Sequence, residues 1–207
     1  MLFLIVRFNH MIKSSAQDTK RRIAEAALET LRTKGFDGAT SRTIARTGGF
    51  NQALIYYHYG NVENALLAAL DLCSEARMQR YREALEGAST LEELAAVARL
   101  IYRQDSASGH VAVISQIVAG SLARPELAEG VLARIEPWVE FCDDAIRKAL
   151  AGSPLEEALP TRELAYGLMS YYLGANLLTH LGGAERTEAL LEQAEALAPG
   201  LAAFLRP

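Results

Sequence analysis

Two cysteines in 207 residues leave no framework of disulfides and no thiolate-built metal site. Cys73 and Cys142 fall on separate amphipathic stretches, which reads as two buried free thiols in a reducing compartment. The four histidines (His10, His58, His110 and His180) are scattered, without metal-ligand spacing. A phosphate-cradling glycine loop and a nucleophile elbow are also missing. An enzyme is therefore not expected, nor a metal or a cofactor. The apolar run Leu2 to Val6 is too short to span a bilayer and lacks the parts of a signal peptide. A cytoplasmic protein without a membrane partner is the expectation. Prolines number six and glycines fifteen, and no segment alternates with period two for long. No sheet is expected, and there is no internal repeat or low-complexity tract.

What is present is alanine, leucine and a divided charge. Half of the residues are hydrophobic, enough for a sizeable core. The net charge is −4, yet residues 1–60 carry nine Lys or Arg against four Asp or Glu. The rest of the chain holds twelve basic and 21 acidic residues. A basic head on an acidic body suits a polyanion-binding module joined to a part with another task.

Helical periodicity runs from end to end. Ile23, Ala26, Ala27 and Leu31 mark a helix over Asp18–Lys34, stopped by Gly35, with Phe36 folding back as an apolar plug. Thr40 is suited to cap a short helix over Ser41–Thr47, and Gly48–Gly49 make a turn. Asn51 caps a third helix, Gln52–His58, and Gly60–Asn61 precede a long one over Val62–Glu86. Ser89–Thr90 followed by Glu92–Glu93 read as a capping-box start of the next helix. Further helices are expected over Gly109–Leu122, Pro125–Ala151, Arg162–Leu181 and Glu185–Leu205, about nine in all. The fold class is all-α, in three parts. Residues 1–17 read as a disordered extension, with Met11 an alternative start. Residues 18–61 read as a helix-turn-helix domain and 62–207 as a ligand-binding and dimerisation domain.

Residues 40–59 carry the specific signal. A short helix, a tight glycine turn and a second short helix place a recognition helix in the major groove. Gln52 can present an amide to an adenine edge and Ala53 can touch a thymine methyl. Arg42, at a helix start, is placed for phosphate, where cation and helix N-terminus act together. Lys20 to Leu70 resembles the DNA-binding domain of the TetR family of bacterial regulators. The matching pieces are Gly35–Phe36–Asp37, Thr40 leading to Ile44–Ala45, Gly49–Phe50–Asn51, and Leu54 through Tyr56, Tyr57 and Tyr59 to Asn61. The resemblance implies that Gln52, Ala53, Leu54 and Tyr56 face bases, and that Thr40, Arg42, Tyr57 and His58 hold phosphates. Asn51 belongs to the same surface as its cap. One departure stands out. Where the family usually has a phosphate-pairing lysine, this chain has Val62, which is expected to weaken DNA binding and flatten its salt dependence. Basic residues before the first helix (Lys13, Lys20, Arg21, Arg22) are candidates to compensate.

One seven-residue recognition helix reads too few base pairs for specificity, so two copies on a palindromic operator are expected. The resemblance implies a homodimer paired through the last two helices. Ala165, Leu168, Met169, Tyr172, Ala175, Leu178, Leu190, Ala194, Leu197 and Leu201 either form that interface or close the protomer's own core. An effector of small, hydrophobic kind with one or two polar handles is expected in the body. Candidate lining residues are Tyr102, His110, Gln116 and Trp138. Phe141, Tyr166, Met169 and Asn176 complete the set. The reading as a whole is a ligand-released repressor. The alternative is a helical small-molecule-binding protein whose DNA binding is weakened or lost.

Overall fold

The computed structural model describes the backbone of residues 2–108 and 110–205 and the side chains of residues 15–107 and 112–203. Among the described residues there are nine α-helices, one π-helical turn and no strand. They are α1 (Leu2–Gly38), α2 (Ser41–Gly48), α3 (Ala53–Tyr59), α4 (Val62–Leu85) and α5 (Leu91–Ser108). After these come α6 (His110–Ser121), α7 (Pro125–Leu150), α8 (Thr161–Leu178), the π turn (Thr179–Gly183) and α9 (Ala184–Leu205).

Helix α1 differs from expectation at its start. Its backbone is helical from Leu2, ahead of Asp18, where the helix was expected to begin. No glycine or proline interrupts those residues, so nothing local breaks the helix. The expected stop at Gly35 is present as a kink with φ 72° and ψ 178°. The capping box of α5 also forms: the Thr90 hydroxyl accepts from Glu93 N–H at 3.2 Å, and the Glu93 carboxylate accepts from Thr90 N–H at 3.1 Å.

The chain forms two compact units, and each has its own core. The first comprises Met1–Cys73 with Gln116–Ala128; the second comprises Ser74–Ser115 with Glu129–Pro207. In the first, Ile23, Leu31, Ile44, Ile55 and Leu66 are fully buried. Each such side chain contributes about 1.5–3 kcal/mol. Phe36, the expected plug, seats on Gly120, where an added Cβ would lie 2.3 Å from the ring. Arg124 lies over that ring, 4.9 Å from its centroid, and pairs with Glu63 at 3.2 Å. These contacts explain why a piece of α6 and α7 groups with the N-terminal helices.

In the second unit α5 runs against α9 through an ion-pair ladder. Arg99 pairs with Glu188 and Glu195, both at 2.8 Å, and Arg103 also pairs with Glu188. Neither cysteine is in a disulfide: Cys73 is buried in the first unit, and Cys142 in the second has its pKa pushed up to about 11 by burial. A thiol so placed stays protonated and unreactive.

Candidate functional site

The helix-turn-helix is built by caps and two glycines. The Thr40 hydroxyl accepts from Thr43 N–H at 3.3 Å, and the Thr43 hydroxyl accepts from Thr40 N–H at 2.9 Å, closing a capping box at α2. Gly49 ends α2 in the left-handed region, φ 65° and ψ 39°, donating its N–H to Ala45 O. Gly48 is needed for another reason: a Cβ there would lie 2.2 Å from the Phe50 ring and 2.8 Å from Ala26. Asn51 Oδ1 then accepts from Ala53 N–H at 2.9 Å and starts α3. Ile44 and Ile55 are fully buried and lock α2 and α3 onto the core beneath.

This leaves the outer face of α3 in solvent. Asn51, Gln52, Ala53, Tyr56 and Tyr57 are exposed, Leu54 and His58 half-buried. Tyr57 is 82% exposed and meets the His58 ring edge-on at 4.9 Å. The Tyr56 hydroxyl donates to Ser41 Oγ at 3.2 Å, tying the recognition face to the N-terminus of α2. Tyr59 turns the other way: its hydroxyl donates to Lys20 O at 2.9 Å, and burial raises its pKa. Thr40 and Arg42 are exposed at the start of α2. The nine residues singled out from the sequence therefore lie on two short, consecutive helices and their caps. Two neighbours were not singled out. Arg46 is exposed on α2, and Arg22 of α1 reaches Gly48 O at 3.5 Å, bringing a cation beside the turn. Val62 is half-buried at the first position of α4, behind the Asn61 side chain, which accepts from Asn64 N–H at 2.7 Å.

The residues suggested as pocket lining are distributed over both units. His110 lies outside the described side chains. Gln116 belongs to the first unit, against Gly35, and its Oε1 is buried without a partner among the described residues. Tyr166 is 59% exposed on α8, while Met169 is half-buried. Tyr102 is buried and bonds Thr179 at 2.5 Å; Asn176 is fully buried and donates Nδ2–H to Tyr172 O at 2.8 Å. Trp138 and Phe141 meet edge-on at 6.3 Å.

What sequence reasoning passed over is a charged centre beside Trp138. Arg77 of α4 pairs with Asp105 of α5, and both bond the Tyr172 hydroxyl of α8. Burial works to lower the Arg77 pKa, but Tyr172 and Asp105 outweigh it and raise it, so the guanidinium stays charged. Burial pushes the Tyr81 phenol up to about 12, and raises that of Tyr172. A signal was present in the sequence. Cys73, Arg77 and Tyr81 repeat every four residues, so an arginine occupies a core position of an apolar stripe.

Residues 23–70 match the family profile of bacterial regulatory proteins of the tetR family. Over 166 residues the chain is 24% identical to the HTH-type transcriptional regulator UidR of Escherichia coli K12, a match covering 77% of this chain and 84% of that one. Among solved structures, a TetR-family regulator described as putative, from Rhodococcus sp., superposes with a TM-score of 0.73 at 18% identity, covering 87% of this chain and 98% of that one. FadR of Bacillus subtilis, solved in complex with stearoyl-CoA, superposes with a TM-score of 0.68 at 16% identity, covering 90% and 99%. At those identities the structural likeness speaks for the fold.

Proposed function

Since the chain belongs to the TetR family of bacterial regulatory proteins, we propose that it represses transcription from a palindromic operator and is released by a small hydrophobic ligand. The protein is a DNA-binding transcriptional regulator and not an enzyme. The observation that carries the finer reading is the outer face of α3. Gln52, Ala53 and Tyr56 stand in solvent on a helix whose inner side is held by Ile55. Such a face offers an amide, a methyl and a phenol to base edges. Thr40 and Arg42 at the start of α2, with Tyr57 and His58 at the end of α3, take the flanking phosphates. Asn51 spends its acceptor on the cap, which leaves its amide nitrogen for DNA. The protein acts where that DNA lies, in the cytoplasm.

Dimerisation supplies the second half-site. On α8, Leu164, Leu168, Tyr171 and Leu178 are exposed at spacings of four, three and seven residues; on α9, Leu190, Leu197 and Leu201 follow the same rule. Gly167 and Gly174, also exposed on α8, have open space beside them and let a partner helix approach closely. Ala165, Ala175 and the half-buried Tyr172, grouped with these from sequence, face the protomer's own core instead. We assign the exposed stripe to a four-helix contact with a second copy, which sets two α3 helices about 34–36 Å apart on DNA.

The second reading, a ligand binder that has lost its operator, rests on Val62 alone. Selection from random duplex DNA with the purified protein decides between them. An enriched palindrome, bound with affinity that falls steeply with salt, is the expected outcome. Absence of enrichment at low salt, with and without cell extract, would favour the lost-operator reading.

A further inference from the structure

Two opposite charges occupy core positions of the second unit. Arg77 and Asp105 are each 2% exposed. The guanidinium has five N–H groups, and three are accounted for. Nε donates to the Tyr81 hydroxyl at 3.2 Å, while Nη2 donates to Asp105 and, at 2.7 Å, to the Tyr172 hydroxyl. The remaining two sit on Nη1, which is buried and has no hydrogen-bond partner among the described residues. Buried donors are paired in nearly all folded proteins, so an unpaired fork at the centre of a unit asks for an occupant.

The surroundings describe that occupant. The Trp138 and Tyr81 rings lie 5.5 and 5.6 Å from the guanidinium carbon. They receive its charge on their faces but offer Nη1 no lone pair. Trp138 in turn meets Phe141, and Phe141 also lines an open cleft of about 430 Å³ with Leu85, Leu94, Ala145 and Lys148. Phe141 and Trp138 thus link the cleft to the Arg77 guanidinium by successive ring contacts. Charge narrows the class further. Asp105 already compensates Arg77, so a carboxylate would bring an uncompensated negative charge into a buried place, whereas an uncharged oxygen would not.

The geometry points to an effector site in which Arg77 Nη1 receives the carbonyl-type oxygen of an uncharged small molecule, with its apolar body against Trp138 and Phe141. The chemistry rests on the unpaired fork; its purpose rests on the sensing role proposed above.

The chain holds one tryptophan, so a single indole N–H resonance reports on this place. Three probes share one ring: acetophenone has a neutral acceptor, isopropylbenzene has none, and benzoate has a charged one. Acetophenone is expected to shift the Trp138 resonance and to bind about tenfold tighter than either of the others. Arg77→Lys keeps a cation beside Asp105 but removes the fork, and is expected to level acetophenone with isopropylbenzene. Asp105→Asn leaves the guanidinium uncompensated and is expected to make benzoate the tightest of the three. In the unaltered protein, equal binding of acetophenone and isopropylbenzene overturns the proposal. So does tightest binding of benzoate, or no shift with any probe at millimolar concentration. DNA binding is scored separately on the selected operator. A protein that prefers acetophenone yet binds no DNA keeps the site and loses the regulator reading; one that binds DNA with no such preference does the reverse.

Discussion

At Gly49 the backbone lies in the left-handed region, and the turn between α2 and α3 depends on it. A side chain there would have room, since nothing lies within 4 Å, so the cost of substitution is conformational and not steric. Gly49→Ala is expected to lower stability by about 1–2 kcal/mol, read from the urea midpoint of unfolding with the slope unchanged. Val62 is the other residue with a sharp expectation. It begins α4, where a cation would reach a phosphate. Val62→Lys is expected to tighten operator binding and to steepen the log–log salt dependence by about one unit per half-site. An unchanged slope would mean that the start of α4 does not approach the DNA backbone.

Among the elements, the α5–α9 ladder has a defined pH response. Hydrogen bonds from Arg103 and then Arg99 hold the Glu188 carboxyl below its ordinary value of 4.5. A depressed carboxylate stabilises the fold fully above the unfolded value, and that contribution is lost as pH falls through the folded one. Stability is therefore expected to decline with acid below about pH 4.5 more steeply in the unaltered protein than in Glu188→Gln. Equal acid limbs in denaturant titrations would remove the ladder from the account. Helices α7 and α9 show tertiary contacts overriding local preference. Each continues through a proline, Pro137 and Pro199, although proline lacks the N–H that the helix ladder needs. Val131 and Val139 are buried on either side of Pro137, so packing keeps α7 running through it, and on α9 Ala198 is buried beside Pro199.

For the whole molecule, the test is assembly. Leu197 is 63% exposed in the protomer and lies on the stripe assigned to the partner copy. Leu197→Glu is expected to yield monomers by light scattering, with protomer secondary structure retained. Operator affinity should fall as well, because one α3 reads only half of a palindrome. A dimer of unchanged strength would move the interface elsewhere.

Much of this was legible in the residues. Helix number, the Thr40 cap, the Gly48–Gly49 turn, the Asn51 cap and the surface carried by α3 follow from local rules: period, capping chemistry and the left-handed tolerance of glycine. Those rules act over three or four residues, so the chain alone states them. Other features depend on neighbours distant in sequence. Phe36 meets Gly120, Arg77 meets Asp105 and Tyr172, and the α8 residues divide between an inner face with Ala165 and an outer one with Leu168. Periodicity told that these residues lie on helical faces but not what each face would meet. That choice was made only when the helices packed, and with it came a buried arginine whose last two donors have no partner among the described residues.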